Sequence, residues 1–551
     1  MLLGIDVGGT YTDAVVVAEG KVIAQAKAPT THDDLLAGIL AALDRVLDGV
    51  DAAGLRRVAL STTIVTNAVV EGRLERVGLL LLPGPGMDIS ALVPERPRIL
   101  SGYIDHRGRE TAAPREAEVA SACRDLDGCE VYAVAGKFAV RNPAHEQAVA
   151  GWLRRHARPA HITLGSAVAG SLNFWRRANS AYYNAAVWRH FGRFARAAQA
   201  AVAGRGVTAP VYILKADGGT MPLAAAGERP VEAVFTGPAA SVLGIMALAA
   251  PRGEAVSLDI GGTTTDIALW RDGAPLFAER GAQIGDYPTA VRAFWLRSIG
   301  IGGDSFVRRE NGRIIIGPEG RGPAMALGGP APTVSDAMIV AGAAGFGDKD
   351  RAAEAMRLTA AGGETVQETA RSVLAAAAEA IQAAIANMID ERASEPVYRV
   401  EDAVRDLRPQ PAALIGVGGA AAGLAPLVAE RLGIRCSVPE GAVVANAVGA
   451  AVARPTIEVT LRADTAQGYY TVAELGLRAA LPSRRFTLAN ARELAARHLA
   501  ERAAAAGIPV ADVESVYDEE FNLVRGFSTT GKIIACQLQI KPGIFTAGEG
   551  V

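Results

Sequence analysis

Nine residues near the start of the chain return, little changed, far down it: Ile5–Asp13 reads IDVGGTYTD and Leu258–Asp266 reads LDIGGTTTD. Six of the nine positions are identical, and two more exchange one apolar residue for another. The copies stand 253 residues apart, far beyond the period of a solenoid repeat, so the echo marks a duplicated domain. Each copy opens on an apolar run, turns through a glycine pair and resumes as an apolar run (Ala14–Val17 and Ile267–Trp270). That pattern predicts a β-hairpin with a polar, glycine-bearing tip. A chain of 551 residues, at about 150 residues per domain, has room for both copies and more.

The composition suits large folded cores. Hydrophobic residues make up 50% and charged residues 21%, which excludes disorder for the bulk of the chain. A formal net charge of -2 supplies no global basic field for nucleic acid or anionic lipid. The four cysteines (Cys123, Cys129, Cys436, Cys536) form no Cys-x-x-Cys pair, so neither a zinc cage nor a disulfide framework is expected. The first residues lack the basic-then-apolar pattern of a signal peptide. The longest uncharged stretch, Pro409–Ala429, is broken by four glycines and Pro426 and cannot span a bilayer. A soluble, cytoplasmic protein without membrane or nucleic-acid partner is the expectation. Arg176 and Arg177 beside Trp175 are accordingly read as an exposed helix face.

Strands and helices alternate through most of the sequence, arguing for an α/β architecture. Apolar residues spaced three and four apart predict a long amphipathic helix over Thr365–Arg392. Leu414–Val417 reads as a short strand, followed by a glycine cluster and a helical run over Leu424–Leu432. Arg454-Pro455 ends a small-residue helix and opens a more charged tail with one helix, Leu488–Ala505. The expected division is therefore 1–235 with the first hairpin, 236–455 with the second, and an α+β region over 456–551.

A phosphate chain is polyanionic, and backbone N–H groups at a glycine turn can hold it without side-chain bulk intervening. Glycine is in excess here, 61 residues or about 11% against roughly 7% in average proteins. Gly8-Gly9-Thr10 and Gly261-Gly262-Thr263-Thr264 supply two such turns, with Thr10, Thr12, Thr263 and Thr265 as hydroxyl donors. Asp6 and Asp259 precede the turns, where a carboxylate can hold Mg²⁺ through water. One glycine pair would mean little; two matched copies with the same flanking aspartates point to a ligand.

These motifs resemble the actin/hexokinase ATPase superfamily. Asp6–Asp13 and Asp259–Asp266 resemble its two phosphate motifs, and Gly416-Val417-Gly418-Gly419 resembles its adenosine motif. Thr236–Ala250 and Gly441–Ala453 resemble its two lobe-connecting helices. Within it the chain is similar to the hydantoinase/oxoprolinase A-type family, through STTIVTNAVVEG (Ser61–Gly72), RNPAHE (Arg141–Glu146), DGGT (Asp217–Thr220), GPAASVLG (Gly237–Gly244), PTVSDAMIVAG (Pro332–Gly342) and the stretch Gly416–Ile434. The resemblance implies duplicated actin-like (ribonuclease H-like) lobes around a nucleotide cleft. It also implies ATP and Mg²⁺ as cofactors, and a hydrolase that phosphorylates the carbonyl oxygen of a cyclic amide or imide to open the ring. A separate B-type subunit is implied as partner, and self-association stays open. Where relatives carry Gly-Gly-Gly-Ser, this chain has Gly302-Gly303-Asp304-Ser305, which adds a carboxylate near the expected phosphates.

The catalytic candidates are thus Asp6, Asp259 and Asp304, with Asp6 and Asp259 on the metal. The nucleotide candidates are Gly8, Gly9, Thr10, Thr12, Gly261, Gly262, Thr263, Thr264, Gly302, Gly303, Gly416, Gly418 and Gly419. The polar cluster Ser61, Thr62, Thr63 and Asn67, with Asp217 and Asp336, is the candidate substrate set. Asp336 also fits a helix cap, and Asp217 and Asp304 also fit turns. None of the seven histidines (His32, His106, His145, His156, His161, His190, His498) has helical ligand spacing, so no histidine-built metal site is expected; His145 is read as capping or packing. Three other readings stay open: a small-molecule kinase using Asp217 or Asp304 as base, a carboxylase subunit, and an ATP-driven switch.

Overall fold

The computed structural model describes residues 1–30, 35–395, 408–483, 485–510 and 512–545. Both echoes fold as the hairpins their alternation requires: Leu2–Val7 with Tyr11–Ala18, and Ala255–Ile260 with Thr265–Arg271. Each hairpin then pairs, on its first strand, with a parallel strand contributed from farther along the chain. Leu2–Val7 lies beside Arg57–Thr62, and Ala255–Ile260 beside Ala413–Val417. These inner strands are buried almost throughout, as parallel strands covered by helices are, and polar residues such as Asp6, Ser61 and Asp259 fall near their C-terminal ends.

The two sheets are therefore built alike. The first runs Thr220–Pro222, Val211–Leu214, Arg57–Thr62, Leu2–Val7, Tyr11–Ala18, Lys21–Pro29. The second runs Ala274–Pro275, Thr265–Arg271, Ala255–Ile260, Ala413–Val417, Arg435–Ser437, with Leu296–Ile299 added beside Thr265–Arg271. Asp6 pairs with Ser61 in the first register and Asp259 with Val417 in the second. Ser61-Thr62-Thr63, leading into the helix Ile64–Val70, is thus the topological twin of Val417-Gly418-Gly419, leading into the helix Ala421–Leu432.

Two helices cross between the lobes, Thr236–Ala249 and Ala445–Val452, and their small residues are a packing necessity. A Cβ on Gly244 would overlap the carbonyl oxygen of Ala445, one on Gly449 that of Ala240, and one on Gly4 that of Ala447. The predicted helix over Thr365–Arg392 spans Val366–Ala393, with Thr365 as N-cap in a capping box with Glu368. It is long and apolar enough to cross a membrane by length and composition. Val373, Ala377, Ile381, Ile385 and Met388 bury one face in the second lobe's core, while Glu379 and Glu391 lie on the outside, the habit of a core helix.

Three features were not foreseen. A four-stranded parallel sheet (Arg98–Ile99, Val77–Leu82, Val131–Gly136, His161–Leu164) is inserted in the first lobe. The helix Phe174–Ala203 packs between this sheet and the rest, and Arg177 on it is fully buried, donating to the carbonyls of Ser171, Gly136 and Lys137. The reading of Arg176-Arg177 as an exposed face is corrected accordingly: Arg176 also donates, to Thr289 O at 3.2 Å. Third, Ala282, Ile284, Val291 and Ala293 come from after residue 236 yet sit in the first lobe's core. The two cores interlock across the expected boundary.

The C-terminal region is an antiparallel sheet ordered Leu477–Ala480, Tyr469–Val472, Glu458–Asp464, Ser528–Ile540, Val513–Arg525, with the helix Leu488–Ala505 on one face. Residues 546–551 of the expected region lie outside the described residues.

Candidate functional site

The hairpin tips are matched in detail. Gly8 N–H donates to Tyr11 O at 3.1 Å, and Gly261 N–H to Thr264 O at 3.0 Å, closing equivalent turns. Gly9, Thr10, Thr263 and Thr264 are exposed at the tips. A Cβ on Gly262 would lie 3.7 Å from Thr10 Oγ1 and 2.5 Å from Asp304 Oδ2, so both tips and Asp304 meet at one place. The loop Gly302–Asp304 is laid directly on the second tip: Gly303 N–H donates to Gly261 O and Asp304 N–H to Gly262 O. A side chain on Gly302 would strike those same carbonyls.

Beneath the tips, register aligns Asp6 with Asp13 and Asp259 with Asp266 on the same faces of their hairpins. Burial pushes Asp6 up to about 7, with Asp13 and Asp259 adding like-charge repulsion and a hydrogen bond from Ser61 opposing it. Asp266 is likewise pushed up to about 7 by burial and by Asp259. Asp259 is raised by burial, against hydrogen bonds from Asn446 (3.0 Å to Oδ2) and Ser241. Asp13 has the cation Lys27 at 2.9 Å. Two aspartates from each hairpin thus stand beneath the tips with burial opposing their charge, and a divalent cation is the natural compensation. Among the described residues no three His, Cys, Asp or Glu side chains gather around one point. An ion here would therefore be held by one or two carboxylates with waters and phosphate oxygens, which is how Mg²⁺ is usually bound. The residues fit Mg²⁺ and a polyphosphate.

Gly418 takes φ +93, and a Cβ there would lie 2.5 Å from Asp259 Oδ1, so this glycine is needed where the loop passes the carboxylate. Gly419 faces open space. Gly416 differs from expectation: its Cβ would meet Ala425 Cβ at 2.6 Å, so its bareness serves strand–helix packing. Thr12 differs too, being buried with its hydroxyl 3.0 Å from Thr30 Oγ1. Thr265 is turned inward to Ile301 O.

The candidate substrate cluster divides. Ser61 and Thr62 are fully buried; Ser61 donates to Asp6, and Thr62 N–H donates to Thr236 Oγ1 at 2.8 Å. Thr63 and Asn67 are half-buried and linked at 3.2 Å, beside the start of the first crossing helix. Asp217 lies elsewhere, accepting from Gly219 N–H (2.9 Å) and from Gln539 Nε2 (2.7 Å), with Lys215 at 3.4 Å. Asp336 is fully buried and accepts from Met325 N–H, Ala326 N–H, Thr333 N–H and Thr333 Oγ1, the second half of a capping box. Asp217 and Asp336 thus spend their oxygens on donors within the protein, unlike the candidate set they were expected to form. His145 is buried against Glu110 at 2.9 Å, and His32 lies outside the described residues.

Asn446 and Phe235 were missed. Asn446 is the one amide in the small apolar helix Ala445–Val452, a polar exception that could have been noticed. Phe235 gives no sequence signal: its left-handed φ of 54° at the N-cap of Thr236–Ala249 shows only in the structure.

Sequence and fold comparisons agree with this geometry. The chain is 27% identical over 469 residues to the caprolactamase subunit alpha of Pseudomonas jessenii, covering 78% of this chain and 67% of that one. It is 27% identical over 393 residues to the acetophenone carboxylase gamma subunit of Aromatoleum aromaticum, covering 62% of this chain and 53% of the relative. The chain thus spans between half and two thirds of these relatives. A nucleotide-free acetone carboxylase structure shares its fold, with a TM-score of 0.72 at 17% identity, over 100% of this chain and 88% of that one. The hydantoinase/oxoprolinase family model matches residues 177–459 and the model of that family's N-terminal region matches residues 2–157, so the chain belongs to the hydantoinase/oxoprolinase family.

Proposed function

We propose that the protein is an ATP-dependent hydrolase that phosphorylates the carbonyl oxygen of a cyclic amide or imide and thereby opens the ring. The observation that carries this reading is the meeting of two matched glycine hairpins, each with an Asp pair beneath its tip (Asp6 with Asp13, Asp259 with Asp266). Amide carbonyls are poor electrophiles; transfer of the γ-phosphoryl group to the oxygen, with ADP leaving, makes a phosphorylated imidate. Water then adds at the carbon, and the ring C–N bond breaks with the nitrogen leaving as an amine and the phosphate retained as an acyl phosphate. A second water hydrolyses that acyl phosphate to the free acid and inorganic phosphate. The carbonyl oxygen is itself the nucleophile in the first step, so positioning and charge neutralisation are the main requirements.

In this reading the tips Gly8–Thr10 and Gly261–Thr264 grip the phosphates, and Asp6 and Asp259 hold Mg²⁺, which would neutralise charge on them. Gly418 and Gly419 lie toward the adenosine. Thr63 and Asn67, the half-buried members of their cluster, occupy on the first lobe the position that the adenosine loop occupies on the second, and are assigned to the acceptor side. Asp304, whose carboxyl burial raises, stands against the second tip at Gly262, on the phosphate side. A B-type partner chain is part of the proposal, since the caprolactamase and acetophenone carboxylase relatives are named as subunits. The exposed Phe521, Val524 and Phe527 of the long C-terminal hairpin offer apolar surface for it.

A carboxylase subunit is the second reading, supported by the acetophenone carboxylase relative. The test is an ATPase assay across cyclic amides, ketones, sugars and polyols, with and without bicarbonate, with product masses measured. Stimulated turnover yielding the ring-opened acid supports the hydrolase. A product heavier by one carboxylate replaces it with the carboxylase, and a stable phosphorylated sugar or polyol with a kinase.

A further inference from the structure

The first crossing helix begins abnormally. Phe235, its N-cap, sits at φ 54, a left-handed conformation that is a real outlier for a bulky aromatic residue and persists only where the surroundings enforce it. Here they do: Phe235 N–H is held by Thr66 Oγ1 at 3.1 Å, on the helix that carries Asn67. The strained backbone delivers the ring to the wall of a cavity of about 390 Å³. That is in the size range of small-molecule sites, roughly 300–1,000 Å³.

The cavity touches the phosphate machinery and both lobes. Asp266 lines it, one strand from Asp259 and opposite Ser298, which also lines it and hydrogen-bonds Asp266. Trp295 and Phe235 give it aromatic walls. Most of its remaining wall comes from Ala278–Gln283 and Ala293–Ser298, of which Ala282 and Ala293 are embedded in the first lobe's core, with Pro238, Glu391 and Glu395 completing it. Lobe closure would therefore reshape this space, as expected of a site where water must be excluded.

We infer that this cavity is the acceptor pocket, that Phe235 and Trp295 set its specificity, and that it takes an uncharged ring amide or ketone. The inference rests on the proposed reaction and adds where the acceptor binds and what charge it carries. The charge follows from the lining. Four carboxyls (Asp266, Glu279, Glu391, Glu395) stand there against two guanidiniums (Arg280, Arg297). Arg297 is bound to Glu391 at 2.5 Å, and Arg392 binds Glu279 at 2.8 Å and pairs with Glu395. Glu279, Glu391 and Glu395 thus already hold Arg297 and Arg392, so an acceptor carboxylate would have to compete with them for those guanidiniums, whereas a neutral ring finds aromatic faces at one end and the Asp266–Ser298 pair at the other.

The experiment compares 2-pyrrolidone, ε-caprolactam and 5-oxoproline as stimulators of ATP turnover by the full chain with a B-type subunit present, in wild type and in Trp295→Ala. An uncharged lactam should show a KM at least tenfold below that of 5-oxoproline. Trp295→Ala should raise the lactam KM about tenfold, well beyond any change in the KM for ATP. A parallel arm reads tryptophan fluorescence without ATP: the lactam should quench wild type, and Trp295→Phe should abolish that response. Preference for 5-oxoproline, or an unchanged lactam KM in Trp295→Ala, overturns the pocket while leaving the reaction standing. If none of the three stimulates wild type, the proposed reaction is wrong, and the fluorescence arm alone then decides whether the cavity binds a neutral ring.

Discussion

Asp6 is stable in the wrong protonation state for its proposed work. Its folded pKa, raised by burial to about 7 from 3.8, exceeds the unfolded value, so the folded chain holds the proton more tightly than the unfolded one. The associated stability is complete below about pH 4 and is lost as pH rises through 7. Asp6→Asn, neutral at every pH and still able to accept from Ser61, should therefore stabilise the metal-free protein at pH 8, by on the order of 2–4 kcal/mol, and by less at pH 5. Thermal melts of the two proteins at both pH values check the sign; equal shifts would contradict it. Asp259 and Asp336 make a second contrast at this scale. Asp259→Ala should abolish Mg²⁺-ATP binding in calorimetry while the chain stays folded. Asp336→Ala, which strips four hydrogen bonds from one buried carboxylate, should destabilise by about 2–4 kcal/mol yet leave ATP affinity within about threefold. Both aspartates sit in motif-like stretches, and sequence alone put both in the site, Asp259 on the metal and Asp336 in the substrate set. What separates them is whether their oxygens are already filled, a property of residues that only folding brings near.

Elements were far more legible than residues. The hairpins, the long helix at Val366–Ala393 and the C-terminal helix Leu488–Ala505 lie where periodicity and caps put them, because local physics sets their ends: Thr365 and Thr487 each close a capping box. The inserted parallel sheet went unread, since its short apolar strands give the same signal as buried helix and their pairing is non-local. The crossing helices show how a composition cue becomes geometry. Their small residues bring the backbones of Ala240 and Gly449 into contact, leaving no space for even one methyl group. Gly449→Val should cost about 3 kcal/mol or more and lower the denaturation midpoint of both lobes, because the helix packs on the first sheet as well as on its partner. A Gly449→Val protein with unchanged midpoint would show that the helices can part without loss.

At the scale of the whole molecule, the last hundred residues matched the family motifs least, yet the structure ties them into both lobes through buried polar contacts. Gln539 donates to Asp217, and Lys215, itself between Asp217 and Glu232, donates to Thr456 at 3.1 Å. Arg107 forks onto Asp464 at 2.8–2.9 Å, and Arg292, from the segment walling the proposed acceptor cavity, reaches Glu514 at 3.0 Å. Removing the region would strip partners from Asp217 and Lys215 while leaving their burial only partly relieved, and an unpaired buried charge costs several times the worth of the bond it loses. A chain cut after Pro455 should therefore fail to accumulate as a folded protein, and the milder Gln539→Leu should fold but melt lower, by about 1–3 kcal/mol for the bond to one buried carboxylate. Circular dichroism and thermal melts of the two variants decide it. If the cut chain instead folds and binds Mg²⁺-ATP with wild-type affinity, the C-terminal sheet is an appended domain, and the sense in which Asp217 holds the lobes to it would have to be abandoned.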